Sequence, residues 1–410
     1  MSTKFSIIYP TRNRPAFINA ALYFLQEQNY SNFEVIVCDN SSSQNLSCEE
    51  ICKNYPLIDI QYLKQEVPVG MVENWNYGLS YATGDYIIYL SDKMFLLPHT
   101  LEFAANAVEL TGADILSWVS NDYYPNDYPN YFGCGRYKLA KQSPQIDGEF
   151  RCYNPSDELK RRTNASMSRS EDNPSDYARG KINFGAYSRP LIERILNQTG
   201  ALFHNIAPDY TSMVLGLSWA NSAIELSRSG IIHLHTDLSN GGQCIVSDVA
   251  ALRFLDELKA DESVFNNMLI PGLYCSQHNL VTHDYLSLKR KFDLPFELNR
   301  LNWLTYIAED FVVSGRQWSS VDVKLHQKNL FDKFIQTQLG AADVDKLQNN
   351  IATRAKSKSN QKSNLIHLLK KAAPNALVNI YKFLKKRNDS LIHLPSVHSV
   401  LELEKNHKLK

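Results

Sequence analysis

Three short segments place polar or charged side chains directly after runs of apolar residues. They are Pro10-Thr11-Arg12-Asn13-Arg14, Asp39-Asn40-Ser41-Ser42-Ser43 and Ser91-Asp92-Lys93-Met94. Guanidinium groups match phosphate oxygens through paired hydrogen bonds, so Arg12 and Arg14 could neutralise a phosphate, although a solvated loop is the alternative. Carboxylate oxygens accept N–H donors and bind hard cations. The three segments are therefore candidates for an anion-binding site.

Two further motifs occur later in the chain. Ala207-Pro208-Asp209-Tyr210-Thr211-Ser212 precedes an apolar helical stretch, where Asp209 is either a proton acceptor or the N-cap of the helix. His233 and His235 alternate along a strand-like run and should share one of its faces. Such a pair could face phosphates or a metal ion, or could simply lie at the end of the strand.

Alternating strands and helices must position these segments. Apolar, β-branched runs predict strands near 5–10, 33–38, 58–63, 86–90 and 114–119. Helical spacing of apolar residues predicts helices near 15–27, 71–82 and 101–110. This order favours an α/β fold with a mostly parallel, Rossmann-like sheet covered on both faces. Since ligands bind beyond the carboxyl ends of such strands, the three segments should meet at one edge of the sheet.

Four segments in register resemble the inverting family-2 glycosyltransferases, whose fold is the A-type nucleotide-sugar-binding one. They span residues 5–15, 33–42, 74–86 and 89–98. The resemblance is close over about 1–115 and loose over 182–245. It implies transfer of a sugar from a nucleoside-diphosphate donor to a glycan or lipid-linked acceptor hydroxyl, with inversion, in surface polysaccharide assembly. No nucleic acid is expected as a partner.

The resemblance also assigns roles to individual residues. It places seven residues at the nucleotide: Pro10, Thr11, Arg12, Arg14, Asp39, Asn74 and Asn76. Asp39 would accept a base N–H, the alternative being an Asx-turn cap on the following helix. Asp92 and Lys93 would lie at the diphosphate or the donor sugar. Asp209 would be the base that takes the proton of the acceptor hydroxyl.

The expected metal motif is degenerate in this chain. Members of the family usually hold Mg²⁺ or Mn²⁺ with two carboxylates around a spacer, whereas this chain has Asp92-Lys93-Met94. A thioether does not bind a hard cation, so Asp92 would be a weak ligand and His235 the one speculative addition. Either the metal is bound loosely, or Lys93 supplies part of the positive charge. A catalytically weak or inactive nucleotide-sugar-binding scaffold is the third alternative.

The sequence disfavours a nucleotidyltransferase, because the segment after the first predicted strand lacks glycine. A nucleotidyltransferase on a similar sheet would need a glycine-rich phosphate loop after the first strand, and residues 10–14 contain no glycine. The seven cysteines lack paired zinc-site spacing, which favours reduced structural thiols.

Domain organisation follows from composition and charge. We predict a nucleotide-sugar-binding half at 1–115, an acceptor-side half at 116–250, a helical extension at 251–340 and a basic tail at 341–410. The tail has 14 basic against 5 acidic residues, while the rest of the chain has a net charge of −9. Residues 120–180 lack periodicity, as a lid or a disordered insert would.

The basic tail and the N-terminus predict where the protein resides. Apolar positions within 365–387 share one helical face flanked by lysines, which is typical of a helix on an anionic membrane; packing against the acidic body is the alternative. No leader precedes the first strand, and no run reaches the ~18 apolar residues that span a bilayer. We predict a cytoplasmic protein, peripheral on the inner face of the plasma membrane.

Overall fold

A computed structural model describes residues 2–43, 47–140, 148–165, 175–238, 240–312, 316–353 and 391–406. Its strands are β1 (Phe5–Thr11), β2 (Phe33–Asp39), β3 (Ile60–Lys64), β4 (Tyr86–Tyr89), β5 (Met94–Leu96), β6 (Ile115–Ser117), β7 (Ser120–Pro125), β8 (Gly135–Lys138), β9 (Phe150–Tyr153), β10 (Gly185–Ser188), β11 (Ala223–Leu226), β12 (Ile231–Leu234) and β13 (Leu391–Leu394). Within the described ranges, none of the helices combines the length and apolar character that crossing a bilayer requires.

The helices alternate with the strands in the first half and dominate the second. They are α1 (Pro15–Leu25), α2 (Glu49–Lys53), α3 (Met71–Leu79), α4 (Thr100–Thr111), α5 (Pro155–Thr163), α6 (Ser175–Ala178), α7 (Arg189–Thr199), α8 (Pro208–Trp219), α9 (Asn240–Val246), α10 (Asp248–Glu257), α11 (Glu262–Asn266), α12 (Gln277–Phe292), α13 (Arg300–Val312), α14 (Val321–Gln338) and α15 (Ser399–Asn406). The predicted α/β fold with a helical C-terminal part is confirmed.

The larger sheet has the strand order β3-β2-β1-β4-β10-β6-β11-β9. Strands β3, β2, β1 and β4 run parallel, and β10 runs antiparallel between β4 and β6. Thr11 pairs with Asp39, and Asp39 pairs with Lys64, so the three N-terminal strands end at one edge. The predicted mostly parallel, Rossmann-like sheet is therefore confirmed, and its edge is where the polar segments were expected.

Both faces of this sheet are covered, which explains the continuous apolar runs in the sequence. Ile7 packs into a core shared with α1, whereas Ile8 packs into the opposite core with α3 and α8. Gly78 lets α3 approach closely, since a Cβ there would lie 2.4 Å from the Cys38 sulfur and 2.9 Å from Ile8. Any side chain at Gly78 would push α3 away from the strands that end at the site.

A second sheet has the order β13-β8-β7-β12-β5 and contains segments that the sequence patterns missed. Residues 120–180 include β7, β8, β9, α5 and α6 rather than continuous irregular structure. The prediction of irregularity failed here because these strands are short and their buried positions are partly polar or aromatic, such as Asn121 and Tyr123. Pairing with distant strands, rather than local periodicity, stabilises them.

The end of the chain packs against the N-terminal half. Strand β13 pairs with β8. The side chains of Val397, Val400 and Leu401, at and near the start of α15, pack into the main core and are at most 3% exposed. The Lys405 ammonium lies 2.6 Å from a carboxylate oxygen of Glu27 on the body. Residues 391–406 thus form part of the folded body, while the predicted interfacial helix within 365–387 lies outside the described residues.

Candidate functional site

Asp92 joins the ends of two parallel strands at the edge of the larger sheet. It follows β4, is 4% exposed and accepts hydrogen bonds at both carboxylate oxygens. The Thr11 hydroxyl donates across 3.0 Å, and the Arg14 guanidinium donates across 3.2 Å. A second Arg14 nitrogen donates to the Leu238 carbonyl at 2.7 Å. The structure therefore brings Thr11, Arg14 and Asp92 together and links them to the segment that follows β12.

Lys93 lies half-buried beside this carboxylate. Burial lowers the pKa of its ammonium from the usual range, and the Arg14 charge acts in the same direction. The charges of Asp92 and Asp209 act on Lys93 in the opposite sense. The charge of Asp92, at the strand end, and the charge of Asp209, on α8, therefore both act on Lys93.

Asp39 is fully buried and organises the turn after β2. It accepts hydrogen bonds from the backbone N–H of Ser41 and of Cys48, at 2.9 and 2.8 Å, and from the Tyr62 hydroxyl at 2.8 Å. Burial on its own would raise the pKa of Asp39, but these hydrogen bonds outweigh it and lower the pKa. The contact with Ser41 has the geometry of the Asx-turn alternative. Base recognition by Asp39 stays a prediction.

The other predicted nucleotide-binding residues have different surroundings. Asn74 is buried and donates to the Cys38 carbonyl at 3.1 Å, while its own carbonyl oxygen is buried without a hydrogen-bond partner. Asn76 exchanges two hydrogen bonds with the backbone of Phe203 and so connects α3 to the loop before α8. Arg12 is exposed, and its guanidinium lies 3.8 Å from Glu257. Pro10 is buried within β1.

Asp209 lies in the first turn of α8, with its carboxylate 27% exposed. The N-cap position belongs to Ala207, which has no side chain able to cap the helix. Asp284 of α12 restrains the loop before the helix by accepting the Ala207 N–H at 2.8 Å and the Ile206 N–H at 3.3 Å. Asp209 follows Pro208 inside the helix and is therefore not its N-cap residue.

Lys181 is the neighbour of Asp209 that sequence reasoning missed. Its ammonium lies 3.6 Å from the Asp209 carboxylate and is completely buried. The two residues are far apart in sequence, and a lone lysine before an apolar segment has no motif around it. Only the packing of the turn at Ile182–Phe184, which Lys181 precedes, against α8 reveals the pair.

His233 and His235 do share one side of β12, as the alternation predicted. Their rings lie 4.7 Å apart, and Nε2 of His235 is 2.9 Å from Oδ1 of Asp122 on the parallel neighbour β7. Tyr124 stacks on His235 at 4.2 Å. Burial, followed by the charges of His235 and Lys93, lowers the pKa of His233 to about 3, so its imidazole is neutral.

These three side chains form a possible metal-binding group within the described residues. One ligand atom from each of Asp122, His233 and His235 lies within 4.8 Å of the others. Asp122 was missed because it falls in the segment interpreted as irregular; its alternation with the buried Asn121 and Tyr123 is the signal that could have identified β7. Asp92 does not belong to this group, since both its oxygens already accept hydrogen bonds from Thr11 and Arg14.

Comparison with known proteins finds similarity to glycosyltransferases in the N-terminal part of the chain. The model of "Glycosyl transferase family 2" matches residues 6–166, which include Asp92 and the first four strands. An uncharacterized glycosyltransferase of Haemophilus influenzae is 32% identical over 104 residues, covering 25% of this chain and 34% of the relative. The GalNAc(5)-diNAcBac-PP-undecaprenol beta-1,3-glucosyltransferase of Campylobacter jejuni is 34% identical over 101 residues, covering 24% and 32%.

One further relative is similar over a short stretch of the chain, and one solved structure is similar over most of it. Glycosyltransferase GlyG of Streptococcus pneumoniae is 27% identical over 134 residues, or 32% of this chain and 44% of the relative. The chain thus spans less than half the length of these curated relatives. The crystal structure of TarS 1–349 from S. aureus has a TM-score of 0.43 and 16% identity, covering 86% of this chain and 92% of that one.

The family match agrees with the sheet. Residues 6–166 contain the parallel strands, the strand-end segments and the Asp92 loop that the resemblance singled out. The α/β fold expected from those segments is confirmed. Residues 6–166 of the chain match the model of glycosyl transferase family 2.

Proposed function

We propose that this glycosyltransferase moves a sugar from a nucleoside-diphosphate donor to a hydroxyl of a glycan or lipid-linked acceptor, with inversion. The observation that supports it most is that the charges of two acids, Asp92 and Asp209, both act on Lys93. Asp92 follows β4 at the strand edge, where donors bind in such sheets, and Asp209 lies in the first turn of α8. We assign the donor to the side of Asp92 and the acceptor to the side of Asp209.

The acceptor class is suggested by the printed names of two relatives. The C. jejuni relative acts on a diphosphoundecaprenol-linked glycan, and WfgD of Escherichia coli acts on alpha-D-GlcNAc-diphosphoundecaprenol; WfgD is 31% identical over 97 residues. Both are named as glucosyltransferases. We therefore favour a lipid-linked glycan acceptor and surface polysaccharide assembly, while the identity of the sugar remains for experiment to establish.

The geometry supports a single in-line displacement. Asp209 removes the proton from the acceptor hydroxyl as its oxygen forms a bond with the anomeric carbon, and the bond from that carbon to the diphosphate breaks. The leaving nucleoside diphosphate takes the electron pair and gains negative charge. Lys93 and Arg14 are the cations nearest to Asp92 that could stabilise this charge. One displacement inverts the anomeric configuration.

Asp92 acts in this scheme by positioning rather than by holding metal. Its oxygens accept hydrogen bonds from Thr11 and Arg14, and Lys93 adds a second positive charge nearby. A divalent cation bound to Asp92 would share its oxygens with these donors and would be repelled by both cations. We propose that Asp92 orients Arg14 toward the diphosphate.

The group of Asp122, His233 and His235 fits a divalent ion better. Two imidazoles and one carboxylate suit Zn²⁺, Mn²⁺ and related ions. Such an ion would supply positive charge that polarises a phosphate oxygen. Titration with Mn²⁺ and Zn²⁺ by calorimetry tests the group: we expect His235→Ala and Asp122→Asn to abolish binding, and equal binding by wild type and both variants would assign the ion elsewhere.

The nucleotide side and the location of the enzyme follow from the same proposal. Asp39 holds the loop against which a base would bind, and within the described residues Asn74 offers a buried side-chain carbonyl oxygen without a hydrogen-bond partner close to the end of β2.

A lipid-linked acceptor would require the enzyme to work at a membrane surface. We propose that it does so from the cytoplasm, with the basic segment of 341–410 contacting anionic lipid.

The decisive experiment combines donor binding with turnover. A panel of nucleoside-diphosphate sugars is screened by thermal shift, since a donor stabilises the fold by RT ln(1 + [L]/K_d). The best donor is then assayed for transfer with wild type and Asp209→Asn. We expect the variant to lose transfer while its donor affinity stays within about threefold.

Two outcomes would contradict the proposal. Retention of most turnover by Asp209→Asn would remove Asp209 as the base. Absence of both transfer and slow donor hydrolysis by wild type, despite tight donor binding, would favour the alternative of a nucleotide-sugar-binding scaffold.

A further inference from the structure

The ammonium of Lys181 is buried in an unusual setting. The residue is 0% exposed and, within the described chain, its Nζ has no hydrogen-bond partner. The Nζ lies 4.1 Å from the ring centroid of Tyr177 and 4.0 Å from that of Tyr210. The carboxylate of Asp209 is 3.6 Å away. Two aromatic faces and one carboxylate therefore surround a charge that has no contact with solvent.

A buried ammonium without compensation would lose its proton or destabilise the fold. Burial does lower the pKa of Lys181, but Tyr177, Tyr210 and Asp209 together raise it above its usual value. Aromatic faces attract cations, and this attraction grows when the cation is desolvated. Lys181 is thus a permanent positive charge at neutral pH.

The other acids in this region already have partners. Arg162 pairs with Glu158 at 2.6 Å, and both Arg151 and Arg179 pair with Glu225, at 2.7 and 2.8 Å. Among the described residues, Asp209 is the carboxylate in ion-pair distance of Lys181. The buried charge therefore acts mainly on one partner, and that partner is the proposed base.

We infer that Lys181 is a positioning residue that holds the Asp209 carboxylate in one orientation. The inference rests on the proposed function, because it assigns to Asp209 the removal of the acceptor proton. In each transfer that proton moves to Asp209, the new glycosidic bond forms, and the nucleoside diphosphate leaves with the electron pair of the broken bond. Lys181 keeps its own proton throughout.

Position in the fold explains why such help is useful. Asp209 is in the first turn of a helix whose N-cap is Ala207, and an alanine offers no polar side chain to restrain the carboxylate. Tyr210, the next residue, contributes one of the two rings that hold Lys181 in place. The lysine, the ring and the acid form one rigid unit at the start of α8.

Other titratable and charged groups also face the pair of Lys181 and Asp209. They are Lys93 before β5, Arg162 of α5, Tyr177 of α6, Tyr210 of α8 and Tyr285 of α12. Burial keeps the pKa of Tyr285 well above its ordinary value, so it stays neutral. The two remaining cations are present in wild type and in any variant at 181, so a comparison at that position isolates the contribution of Lys181.

The test uses the full-length chain with Lys181→Met, which keeps the volume and removes the charge. We expect kcat at pH 7 to fall about 10- to 100-fold, while KM for the donor stays within about threefold. A loss of kcat without a matching change in KM for the donor distinguishes a misplaced base from general damage to the fold. Lys289→Met is the matched control, because Lys289 also lies near a ring, that of Phe296 at 6.0 Å, yet on the outer surface of α12.

The outcomes separate this inference from the function on which it rests. Wild-type kcat in Lys181→Met would overturn the inference while leaving the base role of Asp209 intact. Full activity of Asp209→Asn would overturn the proposed function itself. Should Lys181→Met fail to fold by thermal unfolding, Tyr177→Leu removes one aromatic face and keeps the ammonium. That variant should show a smaller loss of kcat with KM for the donor within about threefold, and wild-type kcat would again overturn the inference.

Discussion

The guanidinium of Arg14 lies 3.2 Å from the carboxylate of Asp92, and its other terminal nitrogen donates to the Leu238 carbonyl. Arg14 precedes the first turn of α1, whereas Leu238 follows β12 and its two histidines. One side chain thus connects the N-terminal half of the domain to the later segment that completes the site. The acid expected to hold a metal is instead paired with a cation of the chain itself.

Replacing Arg14 should weaken donor binding. Arg14→Met removes a charge that is directed to the strand edge and releases Asp92, and we expect donor affinity to fall at least tenfold, equivalent to about 1.4 kcal/mol. Arg14→Lys keeps the charge but not the planar fork, so its loss should be intermediate. Calorimetric titration of the nucleoside diphosphate measures both. Arg228→Met is the control, because the Arg228 guanidinium lies 4.4 Å from the ring centroid of Phe103 rather than at the site. An equal loss of donor affinity in this control would refute a specific role for Arg14.

Asp39 should contribute stability that disappears in acid. Its pKa is lowered in the folded state, so this stability is present above the unfolded value of about 3.9 and is lost as the pH falls through the folded value. Asp39→Asn should cost about 1–3 kcal/mol at pH 7, since buried donors lose a charged acceptor. Urea unfolding at pH 7 and between pH 3 and 5 measures the free energy of unfolding of both proteins. This free energy should depend less on pH in Asp39→Asn than in wild type.

A second substitution of Asp39 tests whether this residue recognises the base of the nucleotide. Asp39→Ala should weaken binding of the free nucleoside diphosphate if the carboxylate, or the loop it holds, contacts the base. Unchanged nucleotide affinity in a destabilised variant would leave Asp39 with a structural role only.

Lys93 should make catalysis partly independent of metal. We expect wild type to retain activity in excess EDTA, because Lys93 and Arg14 provide positive charge without an ion. Lys93→Ala should lose roughly 100-fold in kcat, the size of effect seen when one preorganised donor is removed, and added Mn²⁺ should not restore it. Initial rates with and without EDTA and Mn²⁺ measure this. Complete loss of wild-type activity in EDTA that Mn²⁺ reverses would show that a metal, rather than Lys93, stabilises the leaving group.

The C-terminal segment should be needed for stability. A chain ending near Gly340 lacks the buried side chains of Val397, Val400 and Leu401, each of which contributes on the order of 1.5–3 kcal/mol when fully buried. We expect a clear decrease in the free energy of unfolding relative to the full chain, measured by denaturant titration. An unchanged free energy would mean that β13 and α15 are marginal additions. Deletion therefore cannot separate membrane binding from folding.

Membrane attachment is better tested by neutralising lysines within the intact chain. Replacing Lys382, Lys385 and Lys386 by Gln should weaken binding to anionic vesicles about 100-fold, since each basic residue near such a surface contributes about 1 kcal/mol. Sedimentation with vesicles of anionic and of neutral phospholipid, at low and high salt, measures this. Equal sedimentation of wild type and variant would discard the membrane interpretation.

The sequence by itself determined the N-terminal half of the fold and the edge at which the site lies. The runs that form β1, β2 and β4 are continuous and apolar because both faces of a parallel sheet are buried, and this signal is local. Polar segments after such strands necessarily meet at one edge. Thr11, Arg14 and Asp92 were therefore predictable as neighbours.

Only the tertiary structure decided what those side chains contact. Two carboxylates at strand ends look alike in sequence, but Asp39 is surrounded by donors of its own loop, whereas Asp92 is paired with Arg14. The pairing of Asp122 with His233 depends on the register between β7 and β12. The pairing of Lys181 with Asp209 depends on how the turn at Ile182–Phe184 packs against α8. Contacts between residues distant in sequence arise from packing, which leaves no periodic trace in either partner alone.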